Sequence, residues 1–159
     1  MTRLYARAPR GARAGDRVPR NRGTVTTVLA SLTLDGVGPT QTRQGGTSKA
    51  AFLEYLREHL AHRLRPGQIV FLDNLGAHLP KEVRATIEER GAELRYLPPY
   101  SPDFAPIEHA FSKLKALLRK AAARTTEALE AAIHDALAAL TAADAAGWFA
   151  HCGYVREHQ

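Results

Sequence analysis

The chain has 159 residues, a length typical of one domain and sufficient to bury about two-thirds of the unfolded surface. Its single cysteine, Cys152, excludes an internal disulfide and is typical of a reducing cytoplasm. The start of the chain lacks the apolar region of a signal peptide, and no apolar stretch reaches the ~18 uncharged residues of a membrane helix. We therefore expect a cytoplasmic protein with no membrane partner.

The net charge is +6, and the positive charge is concentrated at the start of the chain. Residues 1–22 contain seven arginines and one acid, whereas the other 137 residues carry 15 basic and 15 acidic side chains. We therefore divide the chain into an arginine-rich arm, residues 1–22, and a domain, residues 23–155. Because the planar guanidinium fits phosphate oxygens, the arm predicts DNA contacts through Arg3, Arg7, Arg10 and Arg13. The alternative is a passive, solvated tail.

The first half of the domain predicts a hairpin followed by a helix. Residues 24–34 are rich in β-branched side chains and stop at Asp35-Gly36, which indicates a strand that enters a hairpin, with residues near 39–44 pairing back. Ser48 is a candidate N-cap for a helix that ends before Pro66-Gly67. The apolar face of that helix would consist of Leu53, Leu56, Leu60 and Leu64.

The second half predicts two more strands and several helices. Residues 68–73 have the apolar pattern of a strand buried on both faces, residues 81–90 a brief helix, and residues 93–97 another strand. A long helix follows to about residue 122, then a helix from Thr126 and a last helix that begins with a capping box at Thr141 and Asp144. The expected buried residues of the first two of these helices are Ile107, Phe111, Leu114, Leu118, Leu129, Ile133, Leu137 and Leu140. This order predicts an α/β domain with a mixed sheet.

Asp73 is the first candidate catalytic residue. It ends the predicted strand at residues 68–73, and the carboxyl ends of buried parallel strands line the crevice in which α/β folds bind ligands. The alternative is an Asp that only turns the chain, because Asp-Asn is common in turns.

Glu108 is the second candidate. It begins a helix after a loop that contains four of the nine prolines, and proline restricts the backbone of the loop that positions this acid. Ser112, Lys115 and Arg119 share its helical face, and Lys113 lies nearby, which favours a phosphate-binding surface beside a carboxylate. A first-turn acid that only stabilises the helix dipole is the alternative.

Two carboxylates from different elements are suitable ligands for Mg²⁺ or Mn²⁺. Asp73 and Glu108 are therefore predicted as both catalytic residues and metal ligands. Asn74 and His78 are candidate accessory residues, although His78 also fits a surface histidine at a helix start, and Asp103 fits a cap for the helix of Glu108. The cysteine and histidines lack zinc-ligand spacing, and the chain has no glycine-rich phosphate loop.

These motifs together resemble the bacterial insertion-sequence transposases related to the mariner elements, in the insertion-sequence six-thirty group. The matching segments are residues 70–74 with His78, residues 97–108, and residues 111–115, and the 34 residues between Asp73 and Glu108 match the spacing of that group. The resemblance extends from residues 7–11 to residues 151–154.

The resemblance implies a ribonuclease H-like mixed sheet flanked by helices, and an Asp-Asp-Glu (DDE) triad that holds two Mg²⁺ or Mn²⁺ ions. It further implies that the protein cuts and joins DNA phosphodiesters and binds DNA. Whether the chain also forms a homodimer is left open. Asp73 matches the second acid and Glu108 the third. The first acid belongs on a strand before residues 24–34, so we expect the first strand to be missing, and neither Asp16 nor Asp35 is a convincing substitute.

The chain is thus predicted to be a transposase by lineage, in a truncated or frameshifted form. The rival hypothesis is an inactive remnant that only binds nucleic acid through the arm and the basic helix, with the two acids as relics.

Overall fold

The structure is a computed structural model that describes residues 7–13, 24–99 and 101–154. The predicted boundary between arm and domain, at residues 22 and 23, lies outside the described residues, as do Arg3 and Asp16. No helix in the described ranges is both long and apolar enough to cross a membrane.

The predicted hairpin is confirmed. Strand β1 (Thr26–Thr33) pairs antiparallel with β2 (Gly36–Gln44), and the two-residue turn between them lies at residues 34 and 35. Gly36 has a φ of 120°, a value that side chains disfavour, which explains glycine at this end of the turn. The pairing register shifts between Ala30 and Leu32, where Gly38 and Pro39 lie opposite Ser31, so β2 contains a bulge.

A helical segment and a parallel strand pair follow the hairpin. Helix α1 (Lys49–Tyr55) is capped by Ser48, whose side chain accepts a hydrogen bond from the Ala51 amide, as predicted. The helical segment continues to Arg63, close to the predicted end, but it widens into a π-helical segment and then a 3-10 turn. The predicted apolar face is confirmed, because Leu53, Leu56, Leu60 and Leu64 pack in one cluster. Bounds of the elements in this part are Leu56–Leu60 (π), Ala61–Arg63 (3-10), Ile69–Leu72 (β3), Lys81–Glu88 (α2) and Glu93–Tyr96 (β4).

Three helices complete the domain. A 3-10 turn at Pro102–Phe104 leads into α3 (Pro106–Ala121), and α4 (Thr126–Ala138) and α5 (Ala142–His151) follow. The capping box of Thr141 and Asp144 is confirmed, with both reciprocal hydrogen bonds present at the start of α5. Each of these helices therefore begins close to its predicted position.

The core consists of two apolar clusters. In the first, Leu56, Val83 and Ile87 are completely buried between the α1 segment, α2 and the β3–β4 pair. In the second, Leu114, Leu118 and Ile133 are buried between α3 and α4. Both clusters include a residue of β1, since Leu29 packs against the first and Val28 against the second. Strand β1 thus lies between two helical layers.

Both antiparallel and parallel pairing are present, as in a mixed sheet. Among the described strands, however, β1 pairs only with β2, and β3 pairs only with β4. The expectation that residues 68–73 are buried on both faces is wrong, because Ile69 and Phe71 of β3 are 43% and 42% exposed. Alternate residues of a strand point to opposite faces, so one face of β3 is covered and the other is largely open.

Candidate active site

Asp73 directly follows β3, and its carboxylate has two internal partners on one oxygen. Oδ1 accepts a hydrogen bond from the Leu75 amide at 3.0 Å and lies 2.6 Å from Nδ1 of His78. The side chain is 58% exposed. Asp73 therefore stabilises a turn, which was the alternative to a catalytic role. No hydrogen bond from the described residues engages Oδ2, so this oxygen remains available to a ligand.

His78 is held in place from three sides. Its ring lies 4.2 Å from the ring of Phe52, its backbone carbonyl accepts a hydrogen bond from the Tyr96 hydroxyl at 2.8 Å, and its Nδ1 contacts Asp73. The side chain is only 15% exposed, so the alternative of a surface histidine is wrong. A carboxylate only accepts hydrogen bonds, so Nδ1 of a neutral His78 carries the hydrogen in this contact.

Asn74 joins the ends of the two parallel strands. Its Nδ2 donates to the carbonyl of Leu97 at 2.7 Å, and the Leu97 amide donates to the carbonyl of Leu72 at 2.8 Å. Leu97 begins the proline-containing loop that leads to Glu108. The hydrogen bond of Asn74 therefore anchors the start of that loop beside Asp73.

Glu108 lies in the first turn of α3. Pro106 occupies the first turn and Ala105 the N-cap position, with no side chain capping the helix, so the assignment of Asp103 as the cap is wrong. The Glu108 side chain is exposed, and no hydrogen bond or ion pair from the described residues engages it. An exposed carboxylate without an internal partner remains available to a ligand.

Tyr154 connects the two carboxylate-bearing elements through contacts that no local sequence pattern indicates. Its hydroxyl donates to the carbonyl of Phe104 at 2.9 Å, and its ring packs edge-on at 5.5 Å against Phe71. Phe71 lies two residues before Asp73, and Phe104 lies four residues before Glu108. One aromatic residue thus links β3 to the turn before α3.

The described residues do not contain a group of three His, Cys, Asp or Glu side chains arranged to hold a metal ion. The predicted ligands Asp73 and Glu108 are available oxygen donors, but they do not complete a metal centre by themselves. Cys152 is buried, and burial raises the pKa of its thiol, which agrees with the expected packing role.

The residues predicted to contact DNA differ in how accessible they are to a phosphate. Arg7, Arg10 and Arg13 are exposed, and Arg3 lies outside the described residues. On α3, Lys115 is exposed and Arg119 half-buried, but Nζ of Lys113 lies 2.5 Å from Oδ2 of Asp144 at the start of α5. This hydrogen bond, together with those from the backbone and side chain of Thr141, lowers the pKa of Asp144 to about 2. Contact with phosphate would require Lys113 to leave the ion pair.

Comparison with known proteins places the chain in one family. The model of the DDE superfamily endonuclease family matches residues 1–130. No curated protein matches significantly.

Solved structures of Mos1 transposase have a similar fold. This chain is 22% identical to the transposase chain of the Mos1 strand transfer complex, with a TM-score of 0.74. The match covers 95% of this chain and 47% of the Mos1 chain. For the Mos1 catalytic domain with raltegravir and Mg the identity is 21%, the TM-score 0.66, and the coverage 80% and 69%. For the Mos1 mariner paired-end complex with Mn the identity is 22% and the TM-score 0.66, and the match covers 93% of this chain and 46% of the Mos1 chain.

The chain thus spans about half the length of the Mos1 chains in those complexes. At this identity the similarity establishes the fold, which is the ribonuclease H-like α/β fold of the Mos1 catalytic domain. The match over residues 1–130 establishes the family. This chain belongs to the DDE superfamily of endonucleases.

Proposed function

We propose that this chain forms part of the catalytic domain of a DNA transposase from a bacterial insertion sequence of the six-thirty group. The domain would cut and join DNA phosphodiesters with a divalent metal pair, in the cytoplasm of its host. One observation carries the proposal: Asp73 stands at the end of a parallel strand with one oxygen fixed by His78, and its other oxygen and the exposed Glu108 have no partner among the described residues.

The donor set fits Mg²⁺ or Mn²⁺. Both candidate ligands are carboxylates, the hard oxygen donors that these ions prefer, and both are exposed. The pairing of Asp73 with His78 resembles the way in which a second residue orients a metal-binding side chain. When bound, the metal would polarise the phosphodiester and lower the pKa of the attacking water.

The residues of the chain would supply three further functions. His78 and the Leu75 amide would hold the Asp73 carboxylate in one orientation, and Tyr154 would hold the turn before Glu108 against β3. Lys115 and Arg119, on the face of α3 that Glu108 begins, would bind the phosphate backbone together with Arg7, Arg10 and Arg13 of the arm. Lys113 would join them only after releasing Asp144.

The metal-binding part of the proposal can be tested directly. Titration of Mn²⁺ into the protein, followed by the electron paramagnetic resonance of free Mn²⁺, should detect binding that Asp73→Asn and Glu108→Gln each weaken by about tenfold or more. Glu58→Gln is the matched control, because Glu58 is an exposed helical acid away from the site. Binding that neither Asp73→Asn nor Glu108→Gln changes would overturn the assignment of the metal ligands.

The rival function is DNA binding without catalysis. It would be supported if DNA binding depends on the arginine arm while Mn²⁺ binding does not depend on Asp73. The two sets of variants therefore separate an enzyme from a remnant.

A further inference from the structure

A histidine at the start of α3 lies against a histidine at the end of α5. The ring centroids of His109 and His151 are 5.0 Å apart, and the two ring planes are perpendicular. In the part of the chain that the structure describes, no hydrogen bond or ion pair engages either imidazole. His109 is half-buried and His151 is exposed, so solvent reaches the pair. Each neutral imidazole has one nitrogen that can bind a metal ion.

Contacts on both sides of this histidine pair hold the two helices together. Lys113, about one turn along α3 from the first histidine, pairs with Asp144, about two turns before the second. The hydroxyl of Tyr154, just after α5, donates to the carbonyl of Phe104, just before α3. The protein therefore brings the two imidazoles together before any ligand binds, which lowers the entropic cost of binding one.

The separation of the rings fits one tetrahedral ion. Zn²⁺ binds histidine nitrogen at about 2.0–2.1 Å, so two imidazoles on one tetrahedral Zn²⁺ have ring centroids about 5 Å apart. The observed 5.0 Å agrees with this value, and perpendicular planes keep the two rings from colliding. Imidazole nitrogen suits Zn²⁺, whereas Mg²⁺ and Mn²⁺ favour carboxylate oxygen. The pair therefore favours a different class of metal from the carboxylates of Asp73 and Glu108.

The histidine pair is also separate from the carboxylates in space. Successive residues of an α-helix are about 100° apart around its axis, so His109 faces α5 while Glu108 points elsewhere and is exposed. Across the described ranges, no third histidine, cysteine or acid completes a metal-binding group with the pair. Two coordination positions would thus be left to water, and binding should be weaker than at a structural zinc site with four protein ligands.

We propose that His109 and His151 bind one Zn²⁺ ion, which joins the start of α3 to the last residue of α5. Glu108 directly precedes His109, so the bound ion would also fix the end of the helix that carries this carboxylate. Binding of Zn²⁺ at this pair does not require a functional carboxylate site.

The first experiment follows the imidazole nitrogens of the whole chain, labelled with ¹⁵N, by nuclear magnetic resonance during a titration with Zn²⁺. One nitrogen of His109 and one of His151 should shift together, with the same dissociation constant. The nitrogens of His62, which is exposed in the 3-10 turn after α1, should not shift in that concentration range.

The variant His109→Phe separates metal binding from ring packing. Phenylalanine keeps an aromatic ring beside His151 but has no nitrogen, so Zn²⁺ binding measured by calorimetry should weaken at least about tenfold. Without metal, the melting temperature should stay within about 2 °C of that of the unaltered chain. His62→Ala is the matched control and should leave the affinity unchanged. If His109→Phe fails to fold, His151→Gln at an exposed position provides the same test.

Bound Zn²⁺ should also stabilise the fold, because it binds a site that only the folded chain forms. At a free Zn²⁺ concentration about ten times the dissociation constant, the melting temperature should rise by about 3–6 °C. The same Zn²⁺ concentration should leave the melting temperature of His109→Phe nearly unchanged.

Unshifted nitrogens of the two histidines, or equal Zn²⁺ affinities of His109→Phe and the unaltered chain, would show that the rings only pack and would overturn the proposal. Zn²⁺ binding that Asp73→Asn abolishes and His109→Phe does not would assign the ion to the carboxylates and would also overturn it. The Mn²⁺ titration depends on Asp73 and Glu108 alone, so failure of the histidine site and failure of the proposed function are distinguishable.

Discussion

Nδ1 of His78 lies 2.6 Å from Oδ1 of Asp73, so a histidine five residues along the same chain orients the carboxylate. The histidine is mostly buried against Phe52, whereas the carboxylate is mostly exposed. Such an arrangement restricts the rotation of an exposed acid by means of a rigid neighbour. The Asp73 carboxylate, one of the two candidate metal ligands, is thereby oriented before a metal ion binds.

The variant His78→Ala should weaken Mn²⁺ binding by about 10- to 100-fold, because the Asp73 carboxylate loses its orienting hydrogen bond. His78→Asn places an amide donor near the position of Nδ1 and should recover part of the loss. His62→Ala is the control, since His62 is exposed in the 3-10 turn after α1. An affinity of His78→Ala equal to that of His62→Ala would show that His78 only packs against Phe52.

DNA binding should weaken steeply with salt, because exposed arginines release counterions from the phosphates that they contact. Each neutralised phosphate contributes about −0.9 to the slope of log affinity against log salt. Replacing Arg7, Arg10 and Arg13 together by Gln should flatten the slope measurably, and removing residues 1–22 should flatten it further. If neither change alters the slope, the arm is a passive tail and α3 is the element that binds DNA. In that case the double variant Lys115→Gln with Arg119→Gln should flatten the slope.

The variant Ile87→Ala should destabilise the fold by about 2–5 kcal/mol, measured by urea unfolding. Ile87 is completely buried in the cluster beneath β3 and β4, and truncation there leaves a cavity. Leu79→Ala is the comparison, because Leu79 is exposed and its truncation should cost about 0.5 kcal/mol or less. Similar losses for the two variants would mean that this cluster is not a packed core.

The ion pair of Lys113 with Asp144 should make stability depend on pH in the acid range. The pKa of Asp144 falls from 3.8 to about 2 in the fold, so its contribution is present above the unfolded value and is lost as pH decreases toward about 2. Asp144→Asn should therefore lower the urea midpoint at about pH 6, and the difference should shrink as pH falls toward about 2. Asp135→Asn, at an exposed acid of α4, should show no such pH-dependent difference.

We expect the chain alone to lack Asp73-dependent nicking and strand transfer on supercoiled DNA with Mn²⁺. Its described residues provide two candidate carboxylates but no group of three possible ligands, and loss of one transition-state stabiliser costs about a hundredfold or more in rate. Nicking that appears in the unaltered chain and disappears in Asp73→Asn would contradict this expectation. Asp35→Asn and Asp16→Asn would then show which other acid completes the site.

Local patterns predicted most secondary-structure elements because they depend on neighbouring residues. The hairpin at Asp35-Gly36, the Ser48 cap and the capping box of Thr141 and Asp144 each involve hydrogen bonds or dihedral angles within a few residues. The positions of Asp73 after a strand and of Glu108 in a first helical turn were predicted for the same reason. The motif around them also predicted a DDE enzyme, and the match over residues 1–130 confirms the DDE superfamily.

Contacts between distant residues were decided by the tertiary structure alone. The link from Phe71 through Tyr154 to Phe104 joins residues that are far apart in sequence, and no local pattern specifies it. The burial of His78 depends on Phe52 and Tyr96 from two other elements, and the pairing of Lys113 depends on Asp144 of α5. The exposure of Ile69 and Phe71 likewise depends on which strands lie beside β3, because an apolar run records only that a strand can be buried.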